Sequence, residues 1–277
     1  MMDRCKLKRR ALLGGALALL TPLALVAPGR ATKRQKAAFR GVNFAHRGLH
    51  ARDKSVPENS LEAFRRAAKA GYGIELDVQL SKDGQVVVFH DDTLKRVCGV
   101  DKRVDELDYA ELSQLKLCGQ DTGIPLFSQV LDTIRGRSPL LVELKTGRHN
   151  RELCEKTYAL LEQYRGEVCI ESFHPLIVAW FRFHGKDLLR GQLAMPRRYY
   201  LEEKQPPFQA FLLSRCLLNF LARPQFIAYR IGHQPPAVRL CQHLGAMKFG
   251  WTSHEPRNEK GRDAVIFEYY KPAIKFK

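Results

Sequence analysis

Short apolar runs typical of strands alternate with helical patterns from residue 42 onward, and this alternation constrains the fold most. It is typical of βα units around a largely parallel sheet. The strand-like runs are Asn43–His46, Gly73–Leu80, Val86–His90, Leu140–Leu144, Val168–Ser172, Arg190–Leu193, Phe226–Tyr229, Lys248–Trp251 and Val265–Glu268. The helical patterns are Ser60–Ala70, Asn150–Tyr164, Pro175–His184, Pro206–Leu221 and Pro235–Leu244, with two more at Asp105–Leu117 and Leu126–Ile134.

The interval between the second and third runs is too short for a parallel connection. It holds only Ser81 to Gln85, whereas a parallel crossover needs about a dozen residues. Val86–His90 should therefore fold back antiparallel on Gln79–Ser81, with Asp83-Gly84 in the turn. Eight strands remain, so the sequence predicts an α/β fold, a (β/α)8 TIM barrel with a β-hairpin excursion after its second strand.

An apolar segment, Ala11–Ala27, precedes this barrel and follows Lys8-Arg9-Arg10. Its length only just reaches the lower limit for a membrane span. We expect a membrane anchor followed by a basic linker, Lys33 to Arg40; the alternatives are export after signal cleavage and a soluble cytosolic protein. The predicted organisation is residues 1–41 as basic N-terminus, anchor or signal and linker, and residues 42–277 as the barrel.

The charge of the chain is strongly positive, with 46 Lys and Arg against 29 Asp and Glu. Residues 1–41 contribute +9 of the net +17, and the remaining +8 suits an anionic substrate or an anionic membrane surface. No zinc-finger spacing, RNP-like run or basic heptad array occurs, so we expect no nucleic-acid partner. The seven cysteines form no CxxC pair; Cys98 and Cys118 would be bridged only in an oxidising compartment.

Acidic side chains interrupt two of the apolar strands. Glu75 and Asp77 are two residues apart, so a strand puts them on one face, and Glu143 repeats the pattern at the end of another strand. Carboxylates in such places are costly unless compensated, and Ca²⁺ or Mg²⁺ prefers oxygen ligands of this kind. Pairing with Lys145 or an arginine in a polar barrel layer is the alternative. Three acids near strand ends favour the divalent metal site.

Two histidines end strands near these acids. His46 follows the first strand, and the hairpin puts residues 75–77 opposite residues 89–91, which returns His90 to the same mouth. Imidazoles suit general acid–base catalysis because their unperturbed pKa is about 6.5. Arg47 and Lys145 suit binding of a phosphate. The combination indicates phosphoryl chemistry.

At these positions the sequence resembles the glycerophosphodiester phosphodiesterase family. The resemblance covers roughly residues 42–268 and implies a phospholipase-C-like barrel that hydrolyses glycerophosphodiesters to an alcohol and glycerol 3-phosphate. It also implies attack on phosphorus by the glycerol C2 hydroxyl of the substrate through a cyclic phosphate. The shared motifs are His46-Arg47-Gly48, Pro57-Glu58-Asn59-Ser60, Glu75-Leu76-Asp77-Val78, Lys82-Asp83-Gly84, Val87-Val88-Phe89-His90-Asp91, Ile124-Pro125-Leu126, Glu143-Leu144-Lys145, Ser172-Phe173 and Trp251-Thr252.

Matching positions imply roles for individual residues. The metal ligands would be Glu75, Asp77 and Glu143; the acid–base pair His46 and His90; the phosphate-stabilising residues Arg47 and Lys145; the substrate contacts Glu58, Asn59, Ser172, Phe173 and Trp251. For Glu58 and Asn59 a simple helix start at Ser60 is the alternative. Two positions depart from the family pattern: Glu268 stands where an aspartate is common, and His174 follows Ser172-Phe173 in place of an aspartate or asparagine.

The substrate and the membrane contact stay open at this stage. Lysophospholipase D activity on substrates with an acyl chain, and a non-catalytic membrane-tethered barrel that binds phosphodiesters, are the alternative functions. A phosphoinositide-type phospholipase C is disfavoured by the motifs. The unusually apolar stretch Phe208–Ala222 is either an interfacial helix or an ordinary barrel helix. Expected partners are a glycerophosphodiester or lysophospholipid and, through Ala11–Ala27, a membrane.

Overall fold

The computed structural model describes residues 23–276. Residues 11–22, which make up most of the predicted anchor Ala11–Ala27, lie outside that part of the chain, as does Cys5. Among the described residues, no helix combines the length and the apolarity that a membrane crossing requires. Cys98 and Cys118 are both free thiols.

Eight parallel strands close into a barrel. Strand β1 pairs in parallel with β2 on one side and with β9 on the other, which closes the sheet. The predicted (β/α)8 TIM barrel is confirmed. The strands are β1 (Val42–Ala45), β2 (Gly73–Leu80), β3 (Val86–Val88), β4 (Leu140–Leu144), β5 (Val168–Ser172), β6 (Leu189–Ala194), β7 (Phe226–Arg230), β8 (Met247–Ser253) and β9 (Ala264–Phe267).

Strand β3 is the extra strand and runs antiparallel to β2, as the short connection predicts. Val78 pairs with Val88 and Leu80 with Val86. The backbone N–H of Phe89 then donates to the carbonyl of Asp77 at 3.0 Å, which extends the ladder toward the mouth. This register delivers His90 to the carboxyl end of β2.

Two predicted helices are wrong in extent. Asp105–Leu117 forms only the one-turn helix Tyr109–Leu112 between two 3-10 turns, and its leucines pack in one cluster with the hairpin residues Val87 and Phe89. Pro206–Leu221 is broken in two, because Cys216 takes a φ of 54° that ends a helix. The helices are Lys33–Phe39, Leu61–Ala70, Lys95–Cys98, Tyr109–Leu112, Phe127–Ile134, Asn150–Gln163, Pro175–Phe183, Arg197–Glu202, Pro207–Ser214, Asn219–Ala222 and Pro236–His243, with 3-10 turns at Val104–Glu106, Leu117–Gly119 and Pro256–Glu259.

The two-residue period of each strand separates two hydrophobic cores. In β4, Leu140, Val142 and Leu144 pack outward against the helices, whereas Leu141 packs inside the barrel with Phe44 and other apolar residues. Glu143 lies two residues after Leu141 and therefore also faces inward, nearer the mouth. The barrel is thus apolar at its floor and acidic at its mouth.

The segment predicted as a basic linker is folded onto the barrel. The helix Lys33–Phe39 begins at Thr32, which forms a capping box with Gln35. Its last residue, Phe39, is buried and lies 6.4 Å from the Phe44 ring on the barrel floor. Earlier in the chain, Val26 is buried beside Cys216, and the Nδ2 of Asn219 donates a hydrogen bond to the carbonyl of Val26 at 3.3 Å. Residues 23–41 therefore belong to the packed body of the protein.

Candidate active site

Three carboxylates meet at the mouth of the barrel. Glu75 and Asp77 on β2 and Glu143 on β4 are buried, and one oxygen from each lies within 4.8 Å of the other two. Asp77 and Glu143 are direct neighbours in the parallel register, which explains their proximity. The structure thus brings together the three residues predicted as metal ligands.

Two cations lie against this cluster. The Nζ of Lys145 is 2.9 Å from Glu143 Oε1 and 3.6 Å from Asp77 Oδ1. The backbone N–H of Arg47 donates to Glu75 Oε2 at 2.7 Å, and its Nε lies 3.7 Å from Asp77 Oδ2. Both side chains therefore balance part of the negative charge and remain on the wall that faces a substrate.

The backbone turn after β1 places Arg47. Arg47 and Gly48 both take positive φ, 54° and 79°. A Cβ at Gly48 would lie 2.8 Å from the Cβ of Ala63 on the following helix, so only glycine fits this turn. The N–H of Gly48 donates to the carbonyl of Ala45 at 3.1 Å and closes the turn.

The predicted substrate contacts Glu58 and Asn59 lie behind the cluster. Asn59 is buried and donates through Nδ2 to Asp77 Oδ2 at 2.9 Å. Glu58 Oε1 accepts a hydrogen bond from Arg47 Nη1 at 2.6 Å. Ser60 is the helix cap, since its Oγ accepts from the N–H of Ala63 at 3.2 Å. The pair therefore orients the charged groups in addition to starting a helix.

Each candidate acid–base histidine is held by a carboxylate. The Nδ1 of His46 lies 3.1 Å from Glu268 Oε1, and the Nδ1 of His90 lies 2.6 Å from Asp91 Oδ1. Burial would raise the pKa of both carboxyls, but hydrogen bonds from the histidines, joined at Asp91 by Arg96, lower it well below the usual value. An ionised carboxylate only accepts, so each Nδ1 carries a proton, and among the described residues neither Nε2 has a hydrogen-bond partner.

The environments of the two histidines differ. Burial, with the charge of Arg47, lowers the pKa of His46 to about 4 despite the opposing effect of Glu268. His46 is therefore neutral at physiological pH.

Arg96 links the carboxylate that holds His90 to the carboxylate that holds Arg47. It donates hydrogen bonds to Asp91 at 2.6 Å and to Glu58 at 2.7 and 2.8 Å.

The carboxylate cluster fits a divalent cation. Burial raises the pKa of Glu75 well above its usual range, and the charges of Asp77 and Glu143 add to this effect. For Asp77, burial is outweighed by His90, Lys145 and Arg47, which lower its pKa. The Oδ1 of Asp77 is buried without a hydrogen-bond donor. Crowded oxygen ligands with an unpartnered buried oxygen match what Ca²⁺ or Mg²⁺ requires.

A cavity of about 1190 Å³ extends from this cluster. Part of its lining is polar and includes His46, Arg47, Glu75, His90 and Lys145. Another part is apolar and includes four leucines from the helices after β5 and β6 and their connection: Leu176, Leu213, Leu218 and Leu221. The cavity therefore has both charged and apolar walls.

The remaining predicted substrate contacts are divided. Phe173 and Trp251 line the cavity, with ring centroids 5.6 Å apart in an edge-on arrangement. Ser172 is buried: its Oγ donates to the carbonyl of Leu144 at 2.7 Å and accepts from the N–H of His174 at 3.1 Å. Ser172 therefore shapes the loop that carries Phe173, and His174 also faces the cavity.

Sequence reasoning missed a fourth inward-facing acid. Glu171 on β5 is buried, lines the cavity and is the register partner of Glu143. Burial raises its pKa well above the usual value, and its Oε2 has no hydrogen-bond partner. The signal was present, because Glu171 interrupts the apolar run Val168–Ser172 as Glu143 interrupts its own strand. Tyr200, Glu203 and Arg230, which also line the cavity, carried no such signal.

Comparison with known proteins places the chain in a family. The sequence model of the glycerophosphoryl diester phosphodiesterase family matches residues 46–266. A lysophospholipase D of Homo sapiens is 33% identical over 168 residues, 56% of this chain and 51% of that protein. A glycerophosphodiester phosphodiesterase of Bacillus altitudinis is 36% identical over 150 residues, 50% of this chain and 60% of that protein. The chain thus spans about half the length of the curated relatives it matches.

Solved structures agree with the barrel. A phosphodiesterase of Oleispira antarctica, solved with its product sn-glycerol 3-phosphate, superposes with a TM-score of 0.67 at 23% identity, covering 84% of this chain and 94% of that one. A glycerophosphodiester phosphodiesterase of Thermotoga maritima gives a TM-score of 0.60 at 27% identity, covering 82% and 93%. With the family match over most of the barrel, the chain belongs to the glycerophosphoryl diester phosphodiesterase family.

Proposed function

We propose that this protein hydrolyses glycerophosphodiesters to an alcohol and glycerol 3-phosphate with the help of a divalent cation. The observation that carries the proposal is the arrangement at the polar part of the cavity lining. Three buried carboxylates lie within 4.8 Å of one another, and two histidines, each held at Nδ1 by a carboxylate, line the same cavity. A site that only binds phosphodiesters has no need of such a pair.

Glu75, Asp77 and Glu143 would hold the cation, Ca²⁺ or Mg²⁺. When bound, it supplies positive charge where negative charge grows on the phosphate. Arg47 and Lys145 add to that field from the cavity wall. Their contacts with Glu58, Asp77 and Glu143 fix both side chains before substrate arrives, which avoids reorganisation during the reaction.

The two imidazoles transfer the protons. The C2 hydroxyl of the substrate attacks phosphorus and loses its proton to one Nε2, while the departing alkoxide receives a proton from the other. The resulting cyclic phosphate is opened by water with the roles reversed. An internal nucleophile removes the entropic cost of recruiting water for the first step.

The test is product analysis with the full chain and glycerophosphocholine. Release of glycerol 3-phosphate that needs Ca²⁺ or Mg²⁺ and stops in EDTA supports the proposal, with Glu75→Gln as inactive control. Release of phosphocholine instead would show that the other phosphoester bond is cleaved. Release unaffected by EDTA would contradict the metal assignment.

The apolar part of the cavity lining favours a second candidate, lysophospholipase D activity. Leu213, Leu218 and Leu221 form part of an apolar wall that a glycerophosphodiester without an acyl chain leaves uncovered. The human relative with a lysophospholipase D name agrees with this candidate. Leu176→Gln should raise the KM for lysophosphatidylcholine several-fold without changing that for glycerophosphocholine, and Leu244→Gln is the matched control. Equal effects on both substrates would remove the acyl-chain assignment.

Membrane attachment through the segment Ala11–Ala27 is part of the same proposal, with export after signal cleavage as the alternative; because Leu25 and Val26 pack on the barrel, the residues before them would enter the bilayer. Support comes from the nearly continuous apolar composition of the segment, which contains no charged side chain. Extraction of the full chain from membranes by detergent but not by carbonate would support the anchor. A mature protein that begins near Pro28 would support cleavage instead.

A further inference from the structure

A group of exposed apolar side chains lies on the helices that follow β5 and β6. Phe208 is 74% exposed, Phe183 61% and Leu176 59%, which is unusual for large apolar residues. The helix Pro175–Phe183 packs on Asn219–Ala222, and Pro207–Ser214 packs on Arg197–Glu202; residues 215–218 connect the two pairs, so the four helices are neighbours. We term this group of side chains the apolar face; it consists of Leu176, Phe183, Leu201, Phe208, Phe211 and Phe220.

Arginines are interleaved with these rings. The guanidinium of Arg215 lies 4.1 Å from the centroid of the Phe211 ring, and that of Arg182 lies 5.0 Å from the Phe183 ring. Residues 175–223 contain seven Lys or Arg that are at least partly exposed, besides the buried Arg190, against three Asp or Glu. Aromatic rings beside guanidinium groups suit a boundary where the ring enters an apolar phase and the charge stays with phosphates.

The apolar face adjoins the cavity at one residue. Leu176 belongs both to the face and to the cavity lining, and Leu213, Leu218 and Leu221 line the cavity from the same helices. The cavity lining therefore reaches the apolar face at Leu176, which is itself exposed.

The apolar N-terminal segment approaches the barrel beside the same helices. Leu25 and Val26 pack with Cys216 and Leu217, in the break between Pro207–Ser214 and Asn219–Ala222. Residues 11–22, which carry no charged side chain, precede this point directly. A bilayer held by that segment would lie close to the apolar face.

We propose that the apolar face docks on the surface of an anionic lipid bilayer, with the phenylalanine rings at the acyl boundary and the arginines on lipid phosphates. Charge complementarity selects this occupant. A second copy of the chain would bring the same positive surfaces together, and residues 11–22 offer no acid to balance the arginines. The proposal holds for either candidate substrate, because it concerns attachment and not hydrolysis.

The test is depth-dependent quenching of tryptophan fluorescence with the full chain in brominated phosphatidylcholine and phosphatidylserine vesicles. Phe208→Trp places the reporter on the apolar face, and Leu244→Trp places it on another exposed apolar position as control. After subtraction of the signal of Trp180 and Trp251, we expect at least twofold greater quenching at position 208. Equal quenching at both positions, or none at 208, would overturn the proposal.

Two further arms identify the occupant. In the Phe208→Trp background, Arg215→Gln should reduce quenching by at least half, whereas substitution of the exposed Arg239 by Gln should leave quenching unchanged. Unchanged quenching in the Arg215→Gln variant would overturn the role of charge. Iodide should quench the reporter freely without vesicles. Protection from iodide in the absence of lipid would show that protein already covers the face, and would overturn bilayer docking.

Discussion

The Nδ1 of His46 and the Oε1 of Glu268 lie 3.1 Å apart, at the ends of the first and last strands of the barrel. The Nε2 of His50 lies at the same distance from that oxygen, so Glu268 holds two imidazoles at the seam where the barrel closes. The residue that departs from the family's aspartate thus contacts the candidate catalytic histidine directly.

Glu268→Gln should lower kcat for glycerophosphocholine by at least about tenfold at neutral pH, because an amide no longer enforces the proton on Nδ1 of His46. Glu268→Asp should retain more activity if the shorter side chain still reaches the ring. Steady-state kinetics with both variants checks this. A Gln variant with unchanged kcat would show that the contact only closes the barrel.

Glu75→Gln should abolish both cation binding and activity, because it removes a charged ligand from the cluster. His46→Ala should abolish activity, with a loss of about 10²–10⁴-fold, while cation binding stays. Equilibrium dialysis with Ca²⁺ beside the activity assay separates the two roles. Activity retained by Glu75→Gln would contradict the metal assignment. Loss of cation binding in His46→Ala would contradict the assignment of His46 to proton transfer alone.

Acid should destabilise the metal-free protein through His46. The unfolded chain takes up a proton near pH 6.5, whereas the folded protein resists protonation of His46 until about pH 4. Stability therefore falls as pH drops through this window, by about 2 kcal/mol between pH 7 and pH 5 from this group. Urea unfolding in EDTA should show a decline smaller by that amount in His46→Asn. Equal declines in both proteins would refute the low pKa.

Gly48→Ala should destabilise the fold by about 3 kcal/mol, because a left-handed alanine costs about 1–2 kcal/mol and the contact with Ala63 adds overpacking. Gly99→Ala is the matched control: its φ of 73° is similar, but no atom lies within 4 Å of its Cβ position. Thermal unfolding of both variants measures the difference. Equal losses of stability in the two variants would mean that the backbone of the turn shifts to relieve the contact with Ala63, so that the contact contributes nothing.

Features set by local periodicity were predictable from the sequence. The placement of Glu75, Asp77 and Glu143 follows from the two-residue period of strands, and the hairpin follows from the shortness of residues 81–85. Glu171 obeys the same rule and was overlooked rather than hidden.

Features set by tertiary packing were not predictable. At the helix break, Cys216 packs with Val26, nearly two hundred residues away in the chain, and no helical period records such a neighbour. The contacts of Glu268 with His46 and His50 depend on closure of the barrel, which brings the two ends of the chain together. The apolar face was recognisable only in part, because Phe183 and Leu176 belong to a different helix from Phe208.

The packed segment 23–41 limits how far the barrel can move from residue 22. As a free tether, its 19 residues would let the barrel travel about 60 Å from residue 22. These residues are instead bound along the barrel through Val26, Phe39 and the Asn219 hydrogen bond, so they do not act as a flexible linker. The barrel therefore stays close to residue 22, and its cavity can take up only molecules that diffuse into the immediate neighbourhood of that residue.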